Sequence, residues 1–302
     1  MPKDTVVLIT GASTGFGRAA AETLARGGYT VFAAMRDTAG RNVTNSEDLQ
    51  SLATRERLRL EVLDMDVTRD TSVNQAVEQA LVRAGSIDVV INNAGIGAVG
   101  MTEAYTIEQF QQLFDVNLLG AVRVNRAVLP AMRRRRSGLL IHVSSAAGRL
   151  ALPCMAAYSA SKFALEALAD AYRFELSPFG IDSVVVEPGI HRTPILERLN
   201  EPSDQARVAE YGGSAEYAQR VKSVFEAAHS AAQTPGVEDV VQAFVQLIEA
   251  PPGERPFRTV PTVAIQALLQ PYNGAAAELR QVVAQILNVP ELLILQRSAA
   301  GI

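Results

Sequence analysis

The chain has 302 residues, 48% of them apolar and 20% charged, and a formal net charge of -4. These proportions exclude a disordered or collagen-like chain, and the lack of a positive field argues against nucleic acid as a partner. The length suits one open α/β sheet covered on both faces, so we expect a single domain over residues 1–302.

Cys154 is the only cysteine, so no intrachain disulfide can form. The start Met1-Pro2-Lys3-Asp4 enters an apolar run with no signal-peptide pattern. No stretch reaches the roughly 18 uninterrupted apolar residues of a membrane-spanning helix. The expectation is a cytoplasmic protein without membrane insertion, and no metal site is expected.

Short runs rich in Val, Ile and Leu alternate with longer segments of helical period, the pattern of a parallel sheet with crossover helices. In chain order the predicted strands are Thr5 to Thr10, Thr30 to Ala34, Leu58 to Met65, Asp88 to Asn92, Leu139 to Ser144, Asp182 to Glu187 and Phe257 to Val260. The expected fold is therefore a doubly wound, mostly seven-stranded parallel α/β sheet of the Rossmann type. The Arg133 to Arg136 run closes a helical segment, where its cations face the last carbonyls. His142 lies inside an apolar strand and reads as a satisfied interior residue.

Between residues 194 and 235 the alternation gives way to a polar helical stretch, read as an insertion over the site. Residues 261–302 read as a C-terminal helical extension. Within it Ala276, Leu279, Val282, Val283, Ile286 and Leu287 form one apolar stripe, expected to pack on the body or on another subunit.

Chemistry is expected beyond the carboxyl tips of the strands. The first tip runs into Thr10-Gly11-Ala12-Ser13-Thr14-Gly15-Phe16-Gly17-Arg18 and then a helix. A glycine-rich turn at a helix start offers backbone N–H groups and the positive helix end to a pyrophosphate. The second tip, where a dinucleotide fold inspects the adenosine ribose, reads Met35-Arg36-Asp37. Met35 cannot accept the ribose hydroxyls of NAD, and Arg36 can pair with a 2′-phosphate, which favours NADP(H) and leaves NAD(H) possible. Asp37 could turn towards the ribose or neutralise Arg36.

Tyr158 and Lys162 stand four apart in a helical stretch, which puts both on one face. A phenol titrates near 10 and needs a nearby cation to act near neutrality. Lys3, Lys162 and Lys222 are the only lysines among 28 basic residues, so a lysine at this spacing is conspicuous.

With Thr10 to Gly17, Asp66-Val67, Asn92-Asn93-Ala94-Gly95, Asn117, Ser144-Ser145, Tyr158-xxx-Lys162 and Pro188-Gly189 before Thr193, the sequence resembles the classical short-chain dehydrogenase/reductase family. The resemblance runs from about Thr5 to Thr193, and its strand tip and long C-terminus look like the 17β-hydroxysteroid and retinol dehydrogenase branch. It implies a catalytic set of Asn117, Ser145, Tyr158 and Lys162, with Lys162 lowering the tyrosine pKa and holding the nicotinamide ribose. It implies cofactor contacts from Gly11, Ser13, Thr14, Gly15, Phe16, Gly17, Arg36, Asp66, Val67, Asn93, Ala94, Gly95, Tyr158, Lys162, Pro188, Gly189 and Thr193. His191 interrupts the usual pattern and reads as a bystander. The implied partners are a small carbonyl or alcohol substrate and further copies of the chain, as a homodimer or homotetramer on the helices around residues 109–136 and 158–177. A 3-oxoacyl reductase, an epimerase or dehydratase of the extended branch, and a cofactor-binding regulator without turnover stand as alternatives.

Overall fold

Strands covered on both faces need near-continuous apolar runs, and Val6–Thr10 (β1) is buried at all five positions. In the computed structural model, which describes residues 4–296, β1 leads through Gly15–Arg26 (α1) to Thr30–Met35 (β2), and Val43–Glu56 (α2) leads to Leu60–Asp64 (β3). Asp70–Ala84 (α3) crosses to Val89–Asn92 (β4), followed by Ile107–Phe114 (α4), Gly120–Arg135 (α5) and Gly138–Val143 (β5). Ala156–Glu175 (α6) precedes Ile181–Val186 (β6). The short Gln205–Glu210 (α7), Glu216–Ser230 (α8) and Glu238–Glu249 (α9) then lead to the two-residue edge strand Arg258–Thr259 (β7) and to Val263–Ile286 (α10).

The seven strands are all parallel, in the order β3-β2-β1-β4-β5-β6-β7. This is the expected doubly wound sheet. Alternation divides its core: Val7 and Ile9 pack with Leu24 of α1 and Phe244 of α9, whereas Val6 and Leu8 pack with Val77 of α3 and Val128 of α5. Burying a side chain such as Phe244, which is fully enclosed, contributes about 1.5–3 kcal/mol. The strand order reverses between β1 and β4, and there the crossovers diverge to leave a crevice at the carboxyl tips.

The Arg133 to Arg136 run does close α5. Arg136 adopts the left-handed C-cap, and Arg135 reaches Asp88 and the Ile87 carbonyl. Two expectations are corrected. His142 is fully buried, but among the described residues neither ring nitrogen has a hydrogen-bond partner; its ring instead stacks on Tyr172, with centroids 6.2 Å apart. Of the two placements expected for the α10 stripe, the body or another subunit, the first is overturned, because Leu269 and Ala284 are the buried side chains of that helix while Leu279, Val282, Val283, Ile286 and Leu287 are exposed. Polar side chains anchor α10 instead: Arg280 donates to Asp170, and Asn273 bonds Glu187. Residues 297–302 of the expected extension, and Met1 to Lys3, lie outside the described residues.

Candidate active site

The glycine turn is shaped by close backbone approach. Gly11 and Gly15 take left-handed φ values of 66° and 57°, which glycine adopts without penalty. A Cβ on Gly17 would stand 2.5 Å from Asn93 Nδ2 and from the Gly11 carbonyl, so only hydrogen fits. Asn93 Nδ2 donates to the carbonyls of Thr10 (2.8 Å) and Gly11 (3.1 Å), while Thr10 Oγ1 accepts from the N–H groups of Asn93 and Ala94 at 3.0 Å. These bonds weld the tips of β1 and β4 together. Thr14, the N-cap of α1, makes no side-chain cap bond, so the first-turn N–H groups keep their capacity for an anion. Ser13 and Phe16 are half-buried beside it, and Thr193 closes over the turn, its Cβ 3.5 Å from where a side chain on Gly15 would begin.

At the tip of β2 Arg36 is exposed. Asp37, at φ 53°, turns its carboxylate to accept from the Arg41 N–H at 2.8 Å and so braces its own turn. Asp66 accepts from Thr68 N and Oγ1. Burial pushes its carboxyl up, but those two bonds together with the positive charges of Arg36 and Arg69 outweigh it and leave the group below its usual range. The side chain of Val67 is buried against the α3 and α5 layer, and its carbonyl accepts from Arg123. Asn92 is turned away from the crevice, donating to Asn125 Oδ1 at 2.9 Å.

Between α4 and α5 the chain forms one π-helical stretch, Asp115–Leu119, with buried Asn117 inside it. Such bulges kink helices and mark functional positions. Asn117 Oδ1 accepts from Ile96 N at 2.8 Å, and its Nδ2 donates to the Ile96 carbonyl and to Ser161 Oγ, both at 3.0 Å. Asn117 is thus tied to the segment after β4 and to the helix carrying Tyr158 and Lys162. A Cβ on Gly95 would stand 3.3 Å from Asn117 Oδ1 and 3.5 Å from Lys162 Nζ, so Gly95 lies against both.

Ser145 follows β5, and its Oγ accepts from Ala147 N at 3.1 Å. Tyr158 and Lys162 share the first two turns of α6, with Lys162 Nζ 5.9 Å from the Tyr158 ring centroid. Lys162 is 4% exposed and donates to the Val143 carbonyl at 2.8 Å. Burial lowers its pKa to about 8, against which Glu166 acts to raise it. Burial raises the Tyr158 phenol above its ordinary value, and Ser145 beside it acts against that rise. Around Tyr158 stand Val99, Met155 and Phe225, with Leu152, Leu196, Leu199 and Val221. The wall is therefore apolar, and α8 contributes Phe225 and Val221 to it.

The Pro188-Gly189 segment is stapled at its back. The Pro188 carbonyl accepts from Ala146 N, and Gly189 N donates to Thr262 Oγ1. His191, read as a bystander, is buried and bonded to Asp239 Oδ1 at 2.9 Å and to the Gly189 carbonyl at 3.1 Å, with Phe16 edge-on at 5.2 Å. It holds the loop against α9. Sequence reasoning missed Ser161, although that residue lies inside the Tyr158–Lys162 segment. It also missed Asp239, Thr262 and Asn273, for which spacing carried no signal.

The fold and this site define a nicotinamide-dependent oxidoreductase acting on CH–OH groups. The family model described as short chain dehydrogenase matches residues 5–204. Among curated proteins the chain is similar to retinol dehydrogenase 8 of Bos taurus (34% identical, covering 87% of this chain and 85% of that one) and to 17-beta-hydroxysteroid dehydrogenase type 1 of Homo sapiens (37%, covering 82% and 75%). It is also 38% identical, over 65% of this chain and 67% of the relative, to 3-ketodihydrosphingosine reductase of Bacteroides thetaiotaomicron. A short-chain dehydrogenase from Streptomyces avermitilis superposes with a TM-score of 0.75 at 28% identity, covering 94% and 97% of the two chains. One from Sphingobium yanoikuyae, solved with NADPH, gives 0.69 at 26% identity, covering 91% and 94%. The chain belongs to the short-chain dehydrogenase family. Among the described residues no helix is long and apolar enough to cross a membrane.

Proposed function

We propose that the chain is an NADP(H)-dependent enzyme interconverting a carbonyl and a secondary alcohol on an apolar substrate. The observation that carries this reading is the Tyr158 phenol beside Ser145, with Lys162 buried one turn further along, against an apolar wall. Ser145 and Tyr158 hold the substrate oxygen, and Tyr158, kept protonated by burial, donates its proton to the forming alkoxide. General-acid help of this kind is worth about 100- to 10,000-fold in rate. Lys162 supplies positive charge behind the phenol and binds the nicotinamide ribose, and Asn117 fixes α6 through Ser161. NADP(H), when bound, supplies or takes the hydride.

The cradle fits that cofactor, because Gly11, Gly15 and Gly17 leave the space and the N–H groups a pyrophosphate needs. Ser13, Thr14 and Phe16 flank it, and Asp66 and Val67 take the adenine end. Asn93, Ala94 and Gly95 run beside the adenosine and ribose, while Pro188, Gly189 and Thr193 take the carboxamide end. Arg36 is assigned to the 2′-phosphate, supported by its exposure and by the commitment of the Asp37 carboxylate to Arg41. The names of the relatives, retinol, hydroxysteroid and ketodihydrosphingosine enzymes, agree with an apolar substrate. Segment 194–235 acts as the substrate cover, and the chain assembles as a homodimer or homotetramer. The test is a screen of carbonyl compounds of graded size, followed by loss of NADPH absorbance. Turnover should rise with apolar bulk, and turnover confined to small polar carbonyls would overturn the substrate class.

A further inference from the structure

One helical turn beyond Lys162, Glu166 sits 2% exposed in a buried ionic cluster that the proposed chemistry does not use. Every packed element contributes to it. Lys162 and Asp170 come from α6, Ser144 and Arg149 from the segment after β5, Glu187 from the tip of β6, and Arg258 from β7. From α10 come Asn273 and Arg280. Arg258 is the hub: its Nε donates to Glu166 Oε2 at 2.9 Å and lies 3.3 Å from Glu187 Oε1, while its Nη2 reaches Asp170 at 2.7 Å. Asn273 donates to Glu187 Oε2 at 2.6 Å, Arg149 lies 3.7 Å from Glu187 Oε1, and Arg280 bonds Asp170. The loop after Ser145 presses onto this cluster at Gly148, where a Cβ would stand 2.5 Å from Ser144 Oγ and 3.3 Å from Glu166 Cγ.

Two carboxylates thus meet one guanidinium nitrogen, and among the described residues each keeps one buried oxygen, Glu166 Oε1 and Glu187 Oε1, without a hydrogen-bond partner, the latter having only the longer ion-pair approaches of Arg258 and Arg149. Two like charges so enclosed cannot both persist without cost, and a proton held between them relieves the repulsion and supplies the missing donor. Lys162 has the opposite need. Its buried ammonium has one carbonyl as acceptor, and a desolvated cation requires a nearby anion. Glu166 lies four residues on along the same face of α6, about 6 Å away by helix geometry. We propose that Glu166 and Glu187 hold one proton between them and that the negative charge left on the pair is the counter-charge of Lys162. Consistent with this, burial raises the Glu187 carboxyl to about 7 with help from Glu166, and burial raises Glu166 as well. Glu166 and Glu187 are then positioning residues, acting through Lys162. The proposal rests on the role given to Lys162 above.

The experiment uses the small number of lysines. Protein labelled with ¹³C at lysine Cε shows few resonances, and the one missing from Lys162→Met is Lys162. Glu166→Gln leaves the charge on Glu187, away from α6, so the Lys162 midpoint should fall by about one unit, the scale of losing an opposite charge at close range. Glu187→Gln leaves the charge on Glu166, so the midpoint should stay or rise. The alkaline limb of kcat should follow the resonance in each variant. An unmoved midpoint in Glu166→Gln, or a fall of equal size in both variants, overturns the proposal. If the amide variant does not fold, Glu166→Asp must lower the midpoint by less than a unit while Glu187→Gln does not lower it; any other pattern counts against the shared proton. Failure of the wild type to reduce any carbonyl would overturn the function above but not this inference, which the resonance decides.

Discussion

Asn117 Nδ2 donates to Ser161 Oγ across 3.0 Å, and Ser161 Oγ in turn donates to the Tyr158 carbonyl at 2.7 Å. The π-helical kink before α5 is thereby bonded to the backbone of the residue assigned as the acid. Both side chains are buried, so the link is expensive to break: an unpaired buried polar group costs about 1–3 kcal/mol. Asn117→Ala should cost stability on that scale and lower kcat, as read by thermal unfolding and steady-state rates. Unchanged kcat would leave Asn117 a purely structural residue.

Tyr158→Phe should lose turnover by about 100-fold or more while keeping NADPH affinity, because it removes a proton donor and no phosphate contact. Fluorescence titration and initial rates measure the two separately. Substantial residual rate would remove Tyr158 from the chemistry.

Cofactor choice should follow Arg36. One charge-assisted bond is worth about 1.5–3 kcal/mol, so Arg36→Ala should weaken NADPH by about ten- to a hundredfold and scarcely touch NADH. Met35→Asp should reverse the preference by repulsion. Equal losses for both cofactors on titration would show that the ribose is read elsewhere.

The pH dependence has a definite sign. The Lys162 ammonium, with its pKa lowered to about 8, is present below that pH and lost above it. Carbonyl reduction should therefore hold through neutrality and decline as pH rises through about 8. A rate that stays flat well above 8 would separate the ammonium from the chemistry.

His142 sets a second window. Burial lowers it to about 4 from 6.5, so between those values the unfolded chain takes up a proton that the folded chain refuses, and stability falls as pH falls. The full penalty is on the order of 3 kcal/mol. His142→Leu should flatten the melting temperature between pH 6.5 and 4 relative to wild type. Glu187, raised by burial, works in the opposite direction in both proteins and cancels in the comparison. Parallel curves for the two proteins would contradict the assignment.

Pattern alone determined the sheet, because buried parallel strands need apolar runs and each run ends in a polar motif; all seven predicted strands overlap observed ones. Local spacing also placed Tyr158 beside Lys162 and the glycines at a helix start, since those relationships act within one or two turns of chain. Tertiary structure decided what depends on partners distant in sequence. Among the described residues His142 meets no hydrogen-bond partner: beside it on the adjoining strands stand Val185 and Asn92, the latter turned to Asn125, and Tyr172 stacks on its ring, which no strand pattern records. The stripe on α10 stays exposed because that helix is held by Asn273 and Arg280 reaching Glu187 and Asp170, residues 86 and 110 positions away. The desolvation that raises the Tyr158 phenol is likewise tertiary, because the apolar wall around it joins residues as far apart in sequence as Val99 and Phe225.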